Sequence, residues 1–513
     1  MTIPDEQREA AAFLQELAGR PPIETHISAV FIGADTVWKL KKAVNPGFLD
    51  FSTLPRRHAF LRRELTLNQQ AAPEIYRDVA AIVRLPGGKL GLTPAPAADA
   101  AVVDWVLRMA PVPATDFLDA IAARGELGPA LLDALGDTVA RFHAALPPAT
   151  DWDSAGALHA VAEGNVRSAL AAGLDPGRVR AWGAAAEAAL HERAGWLTAR
   201  ARAGFVRRAH GDLHLGNLCL WHGVPLPFDA LEFDEAMATI DLGYDLAFLL
   251  MDLDLRVGRA AANRVLNRYV ARSGDAALTH GLPPFLSLRA MVLAHIRASL
   301  GRAAEAARYL DAAEAYLRPP PPLLVAIGGL QGTGKSTLAR ALAPALGAAP
   351  GALVLRSDEI RKHLHGVSPE QALPESAYTP EEHRRVAATL AAMAAQAAEG
   401  GHAVIADATF LAPEERHGIE AAAARAGVPF TALWLEAPLP VLEQRIAARS
   451  GDASDADIAV LRRALTRETG PVTWRRVDAT ERDAARVEAL AAIRRGAPPL
   501  DPAGALRPQT PNT

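Results

Sequence analysis

Gly329, Gly334, Lys335 and Ser336 fill the pattern G-x-x-x-x-G-K-[ST], directly after an apolar run at 323–327 and at the start of a helical pattern. Glycines at this spacing let backbone N–H groups turn inward around phosphate oxygens, and the helix N-terminus adds positive potential. The whole turn, Gly329, Leu330, Gln331, Gly332, Thr333, Gly334, Lys335, Ser336 and Thr337, is therefore expected to cradle ATP. Lys335 is expected to reach the β- and γ-phosphates, Ser336 to hold Mg²⁺ by its hydroxyl, and Thr337 to touch the α-phosphate.

Further carboxylates and guanidinia follow at places where a doubly wound sheet collects its ligands, the C-terminal strand ends. Asp358 closes a second strand pattern and is expected to take the proton of a substrate hydroxyl. Arg361, one turn into the next helix, is expected to bind an anionic group of that substrate. Asp407 closes a third strand pattern and is expected at the substrate or the metal shell. Arg445 and Arg449 share one helical face, from which a lid can neutralise a transferring phosphoryl group. This set resembles the small P-loop kinases, the group of polynucleotide 5′-hydroxyl kinases, zeta-toxin-like kinases and gluconate kinases. The resemblance covers about residues 323–495, and an AAA-type ATP-binding domain is what it implies.

A second constellation lies upstream. His210-Gly-Asp212-Leu-His-Leu-Gly-Asn217 precedes a turn at His222-Gly223 and then Pro227-Phe-Asp229-Ala-Leu-Glu232. Asp212 can accept or orient an acceptor hydroxyl, and Asn217 and Asp229 are hard oxygen ligands suited to Mg²⁺. Asp245, in Tyr244-Asp-Leu-Ala247, is expected to brace the loop, and His210 to pack beneath it. This stretch resembles the catalytic loop of aminoglycoside phosphotransferase-like kinases, over about residues 23–317. The resemblance implies that Lys39 or Lys41, which share a strand face, serves as the ATP lysine, with Lys41 preferred and Glu64 as its ion-pair partner. Two departures stand out: residues 24–28 read Glu-Thr-His-Ile-Ser, with no glycine-rich loop, and no glycine follows Asp229.

The elements that must position these groups are legible in outline. Residues 27–32 and 36–44 read as strands joined by a turn, 54–70 as a helix, and 79–84 and 90–92 as strands; from 117 the pattern is mostly helical, interrupted at 210–234. After four prolines at 319–322 the pattern alternates, with strands at 323–327, 352–355, 403–406 and 430–435 separated by helices, which predicts a parallel sheet. The expected fold is thus α/β, a two-lobed α+β protein-kinase-like domain at 1–318, a proline linker at 319–322, a P-loop domain at 323–496 and a disordered tail at 497–513. The whole resembles bacterial fusions of these two kinase types.

Bulk properties agree with that outline. A chain of 513 residues exceeds what one core usually supports. A net charge of −4 gives no long-range pull toward nucleic acid or membrane. Cys219 is the sole cysteine, so no intramolecular disulfide forms, and no apolar run reaches the roughly 20 residues of a membrane span. The expected protein is cytoplasmic and phosphorylates a small-molecule hydroxyl acceptor, one site per domain, with no membrane partner. Two alternatives stay open: a P-loop ATPase switch coupled to a kinase-like ligand-binding domain, and a 5′-hydroxyl kinase acting on nucleic-acid ends. The residues carry no signal for oligomeric state.

Overall fold

A computed structural model describes residues 2–45, 49–448 and 453–496. The chain forms two compact units, one of residues 1–265 and 284–317, the other of residues 266–283 and 318–513. Residues 266–283 fall within the sequence-based first domain but cluster with the second unit. Arg449 and the stretch 497–513 lie outside the described residues.

The first unit opens on a six-stranded antiparallel sheet: β1 (Ile23–Glu24), β2 (Ser28–Ile32), β3 (Val37–Lys41), β4 (Tyr76–Arg84), β5 (Leu90–Thr93) and β6 (Val102–Met109), in spatial order β1-β2-β3-β6-β4-β5. β6, absent from the sequence outline, is its central strand and pairs β3 on one side and β4 on the other. Its Asp104 breaks the apolar run but is buried on Arg57, whose guanidinium donates to both carboxylate oxygens at 3.0 and 3.1 Å. Leu40, Ala80, Ile82, Val106 and Phe31 fill the core on one face. The helix Leu54–Gln69 begins at a proline and buries Arg57, Leu61, Glu64 and Asn68, spaced by four, three and four residues along one side.

A larger helical part follows. It is interrupted by the antiparallel pair β7 (Val206–Arg208) with β10 (Thr239–Asp241), and by the hairpin β8 (Leu218–Trp221) and β9 (Val224–Pro227). His222 and Gly223 turn that hairpin with φ of 49° and 82°, the pair of positive values a tight two-residue turn requires. The helical tract after 284 is two helices, Leu282–Ser299 and Ala303–Tyr316.

The second unit is a five-stranded sheet: β11 (Leu324–Gly329), β12 (Leu353–Arg356), β13 (Val404–Asp407), β14 (Phe430–Glu436) and β15 (Arg475–Asp478), in order β12-β13-β11-β14-β15. Every pair is parallel. The three strands β11 to β13 are apolar up to their C-terminal ends because helices cover both faces. β11 to β13 are buried along their whole length. β12 is an edge strand, and Asn267 meets its outer backbone: Oδ1 accepts from Val354 N at 2.7 Å and Nδ2 donates to Ala352 O at 3.3 Å. Gly329, Arg356, Asp407 and Glu436 end their strands at the same edge of the sheet. Among the described residues no helix is long and apolar enough to cross a membrane.

Candidate functional site

In the second unit, β11 feeds the phosphate loop and the helix Lys335–Leu342 leaves it. Gly332 has φ 84°, and a Cβ there would stand 2.7 Å from the Leu442 carbonyl oxygen. That position therefore admits no side chain. Gly334 has φ 91° and caps the helix. Thr333 is buried and its hydroxyl donates to Leu330 O at 2.8 Å, while Lys335 Nζ donates to the same carbonyl at 2.9 Å. The loop closes on itself, with its lysine folded along it.

The loop opens on a cleft of about 1310 Å³. Ordinary small-molecule sites run to about 1,000 Å³, so this one has room for a nucleotide and an acceptor. Gln331, Gly332, Gly334, Lys335, Ser336 and Thr337 line one end, and Asp358, Arg361, Asp407 and Arg445 share the cleft with them. Burial pushes the Asp358 carboxyl above the ordinary aspartate range; Asp407 adds to the rise, and Arg356, Ser454 and Lys335 oppose it. A carboxylate of raised basicity among phosphate-binding groups suits proton acceptance.

Two arginines differ from their expected roles. Arg445 was expected as a lid residue facing the transferring group. Its helix, Leu439–Ala447, buries Leu442 and Ile446 and lies against the phosphate loop at Gly332. The guanidinium is spent on carbonyls, Ala479 O and Thr480 O each at 2.9 Å and Thr333 O at 3.5 Å, so Arg445 ties the loop to the 479–480 turn. Arg361 was expected to offer its fork to an anion. Instead Nη1 donates to Ala377 O at 2.8 Å, Nη2 meets His383 Nδ1 at 3.1 Å, and the group lies over the Tyr378 ring. Its buried Nε–H has no acceptor among the described residues. Burial, with Arg361 and Arg467 beside it, lowers His383 to about 4, so its ring is neutral at pH 7.

Four cations left unassigned by the sequence outline also line the cleft: Arg356, Arg463, Arg467 and Arg482. Arg463 lies within the helix Ile458–Leu465 and Arg467 just past its end, a spacing of four, the same signal that drew attention to 445 and 449.

For a divalent metal the donor set is Ser336 Oγ with Asp407. Asp407 is 3% exposed, and its Oδ2 accepts no hydrogen bond among the described residues. A buried orphan carboxylate oxygen is costly unless something cationic completes it, and hard oxygens of this kind fit Mg²⁺.

In the first unit, β3 carries Lys39 and Lys41 toward the Leu54–Gln69 helix. Lys39 Nζ lies 2.6 Å from Glu64 Oε1 and 2.6 Å from Asp229 Oδ1. Lys41 Nζ lies 2.7 Å from Glu64 Oε2 and also binds Glu232. The two lysines thus differ in their contacts: Lys39 reaches Asp229 as well as Glu64, while Lys41, preferred from the sequence, is 1% exposed and locked between two carboxylates. Burial opposes the Lys39 charge, yet Asp229, Glu64 and Glu232 hold its pKa well above the usual lysine value.

The hairpin places Asn217 and Asp229 at its open end, where Phe228 N donates to Asn217 O at 3.1 Å. Asn217 Nδ2 donates to Asp212 O and Asp212 Oδ2 at 2.9 and 2.8 Å. With its nitrogen fixed on Asp212, the amide oxygen is left for another partner, and with Asp229 it forms an oxygen pair that fits a hard cation. Asp229 has φ 59°, a conformation that non-glycine residues hold only when their surroundings enforce it; here Tyr76 Oη accepts from Asp229 N at 2.9 Å.

Asp245 accepts from His210 N and Gly211 N at 3.1 and 2.9 Å, bracing the loop from below, and His210 Nε2 meets Phe228 O at 2.9 Å. Burial works against the charged form of Asp212, but His214, His210 and Arg289 hold its carboxyl down at about 2. Glu232, unassigned from sequence, gains its role only through the long-range contact to Lys41.

Uncharacterized proteins of Mycobacterium tuberculosis and Mycobacterium bovis are 28% identical to this chain over 471 residues, 89% of it and 91% of each of them. Among solved structures, the apo form of a thermostable mutant of aminoglycoside phosphotransferase APH(4)-Ia aligns with a TM-score of 0.39, 14% identity, 60% of this chain and 98% of that one. The Mycobacterium tuberculosis APS kinase CysC in complex with AMPPNP and APS aligns with a TM-score of 0.23, 22% identity, 34% of this chain and 98% of that one. The family model of the AAA domain matches residues 324–471, a segment that includes the phosphate loop.

Proposed function

We propose that the chain is a phosphotransferase with an ATP site in each unit, each passing the γ-phosphoryl group to a hydroxyl of a small molecule. One observation carries the reading for the second unit: the phosphate loop and the Asp358 carboxyl, its basicity raised by burial, share a single cleft. On this reading the loop amides and Lys335 hold the triphosphate, and Ser336 with Asp407 holds Mg²⁺, which when bound neutralises charge on the β- and γ-oxygens. Asp358 takes the acceptor proton. Arg463 and Arg467, which line the same cleft, would compensate charge on the transferring group. Positioning and charge neutralisation do the work, with no covalent enzyme intermediate.

The first unit is read in the same way from the Lys39–Glu64–Asp229 chain of contacts and the Asp212–Asn217 pair. Lys39 would hold phosphate oxygens, Asn217 and Asp229 the metal, and Asp212 would orient the acceptor hydroxyl. A carboxyl held at about 2 is a weak base, so Asp212 acts by orientation more than by storing a proton.

The test is transfer of label from γ-labelled ATP by the full-length chain to a panel of alcohols, polyols, nucleosides and 5′-hydroxyl oligonucleotides. Lys335→Ala and Asp212→Asn should each remove a different part of the labelling. Labelling of oligonucleotides alone would move the second unit to the end-kinase reading. ATP hydrolysis with no labelled acceptor anywhere would leave a switch.

A further inference from the structure

The reading of the second unit as an ATP site leaves one buried charge unused. Arg356 ends β12 and is 4% exposed. Its Nε donates to Ser336 Oγ at 3.2 Å and lies 3.4 Å from Asp407 Oδ2; its Nη1 donates to Glu359 Oε1 at 2.8 Å. Ser336 and Asp407 are the two side chains assigned to the metal. A guanidinium therefore touches both of the metal's donors, and it is the cation that faces the otherwise orphaned Asp407 oxygen.

The sheet explains the placement. Arg356 and Asp407 are register partners across β12 and β13, and both strands end there, so the two side chains rise at the same point of the ligand-binding edge. Glu359 sits in the first turn of the following helix and accepts from Nη1, whereas Nε meets Ser336 and Asp407. The arginine thus has two sets of partners, one that a metal would also use and one that it would not.

We propose that Arg356 is the built-in counter-cation of the metal position. It holds Ser336 and Asp407 in the metal-free chain and retires onto Glu359 when a nucleotide arrives with its metal. Two cations in contact with one hydroxyl and one carboxylate repel strongly where water is scarce, so Arg356 and the divalent ion compete for the same donors. Arg356 also leaves a positive charge beside the triphosphate when metal is absent. It therefore sets how strongly nucleotide uptake depends on Mg²⁺.

The experiment is binding of a fluorescent ATP analogue to the full-length chain, titrated with MgCl₂ or held in EDTA, with no turnover measured. Arg356→Gln should lower the Mg²⁺ needed for half-maximal binding about tenfold and weaken binding in EDTA about tenfold. Arg356→Lys keeps the charge and should stay within about threefold of the parent on both counts. Glu359→Gln removes the retreat partner and should raise the Mg²⁺ requirement. If circular dichroism shows Arg356→Gln to be unfolded, the lysine and Glu359 variants carry the test. A folded Arg356→Gln chain whose affinity falls equally with and without Mg²⁺, or does not change, overturns the proposal. Absence of nucleotide uptake by the parent chain in both conditions would instead sink the ATP-site reading on which the proposal rests.

Discussion

Replacing Lys39 and Lys41 in turn by methionine should separate a binding residue from a structural one on the same strand. Lys41 is 1% exposed and bridges Glu64 and Glu232, whose side chains are 0% and 6% exposed. Without Lys41, Glu64 keeps Lys39, but the buried Glu232 loses its direct ion-pair partner. Breaking a buried pair in this way costs about 3–5 kcal/mol, and a unit of this size should then melt on the order of 10 °C lower. Lys39→Met is milder: Glu64 keeps Lys41 at 2.7 Å, and Asp229, 43% exposed, recovers water. That change should cost about 1 kcal/mol of stability. Its effect should appear in nucleotide binding, where loss of a charged donor to phosphate removes about 1.5–3 kcal/mol, about ten- to a hundredfold in affinity. The assay pairs thermal unfolding with ATP-analogue binding, both in a Lys335→Ala background that silences the other site. A Lys41→Met chain as stable as its parent but unable to bind, beside a Lys39→Met chain that still binds, would refute the assignment and restore Lys41.

Three further outcomes follow from the geometry. Gly334→Ala should destabilise by about 1–2 kcal/mol through its left-handed backbone alone, since its Cβ would meet nothing closer than Arg445 Nη1 at 4.0 Å; Gly332→Ala adds a collision with Leu442 O at 2.7 Å and should cost visibly more in the same melts. Cys219 is fully buried and its thiol is pushed up by burial to about 12, so iodoacetamide at pH 8 should leave the native chain unlabelled and modify it in urea. Asp358, its carboxyl raised by burial, binds its proton more tightly folded than unfolded. Its ionisation therefore costs stability as pH rises from the ordinary aspartate value through the raised one, while activity in the second unit is lost as pH falls through that raised value. Asp358→Asn should raise the melting temperature at pH 7 and abolish transfer; transfer at an undiminished rate would remove Asp358 from the reaction.

The phosphate loop was legible because its chemistry is local: glycine spacing, lysine and helix start lie within eight residues, and the flanking apolar runs announce the strand and the helix. The alternation of β11 to β14 with helices was legible for the same reason. What depended on pairing across the fold was not. β6 contains Asp104 and Arg108, which interrupt its pattern, and only the contacts to Arg57 and Asp78 make those charges acceptable in a sheet. β15 is short and carries two arginines, and it is a strand because the edge of β14 offers it a partner. Lys39 and Lys41 are equivalent by period, and what separates them is the position of Asp229, 190 residues along the chain. Arg445 and Arg463 carry the same charge on similar short helices and both line the cleft; that Arg445 is engaged by the carbonyls of Thr333, Ala479 and Thr480 follows from its helix packing on the loop.

The two units meet one electrostatic problem with the same arrangement. A site for a triphosphate and a metal must hold a cation for the first and a carboxylate for the second, and both must survive in a partly dry pocket when neither ligand is there. In the first unit Lys39 is paired with Asp229 at 2.6 Å; in the second Arg356 stands 3.4 Å from Asp407. Each cation also has a second carboxylate, Glu64 or Glu359, that does not belong to the metal. On the proposed reading, nucleotide and metal arriving together let the aspartate exchange its internal cation for the ion, while the lysine or arginine keeps its second carboxylate and turns toward phosphate. Nucleotide alone draws off the cation and strands the aspartate, and metal alone takes the aspartate and strands the cation beside a second positive charge. Each half-filled state leaves a charge with less compensation than the paired or fully loaded state, most severely at the buried Asp407, so the pairing itself favours joint uptake of nucleotide and metal over uptake of either alone. Neutralising the internal cation should weaken that coupling in the first unit as well as the second.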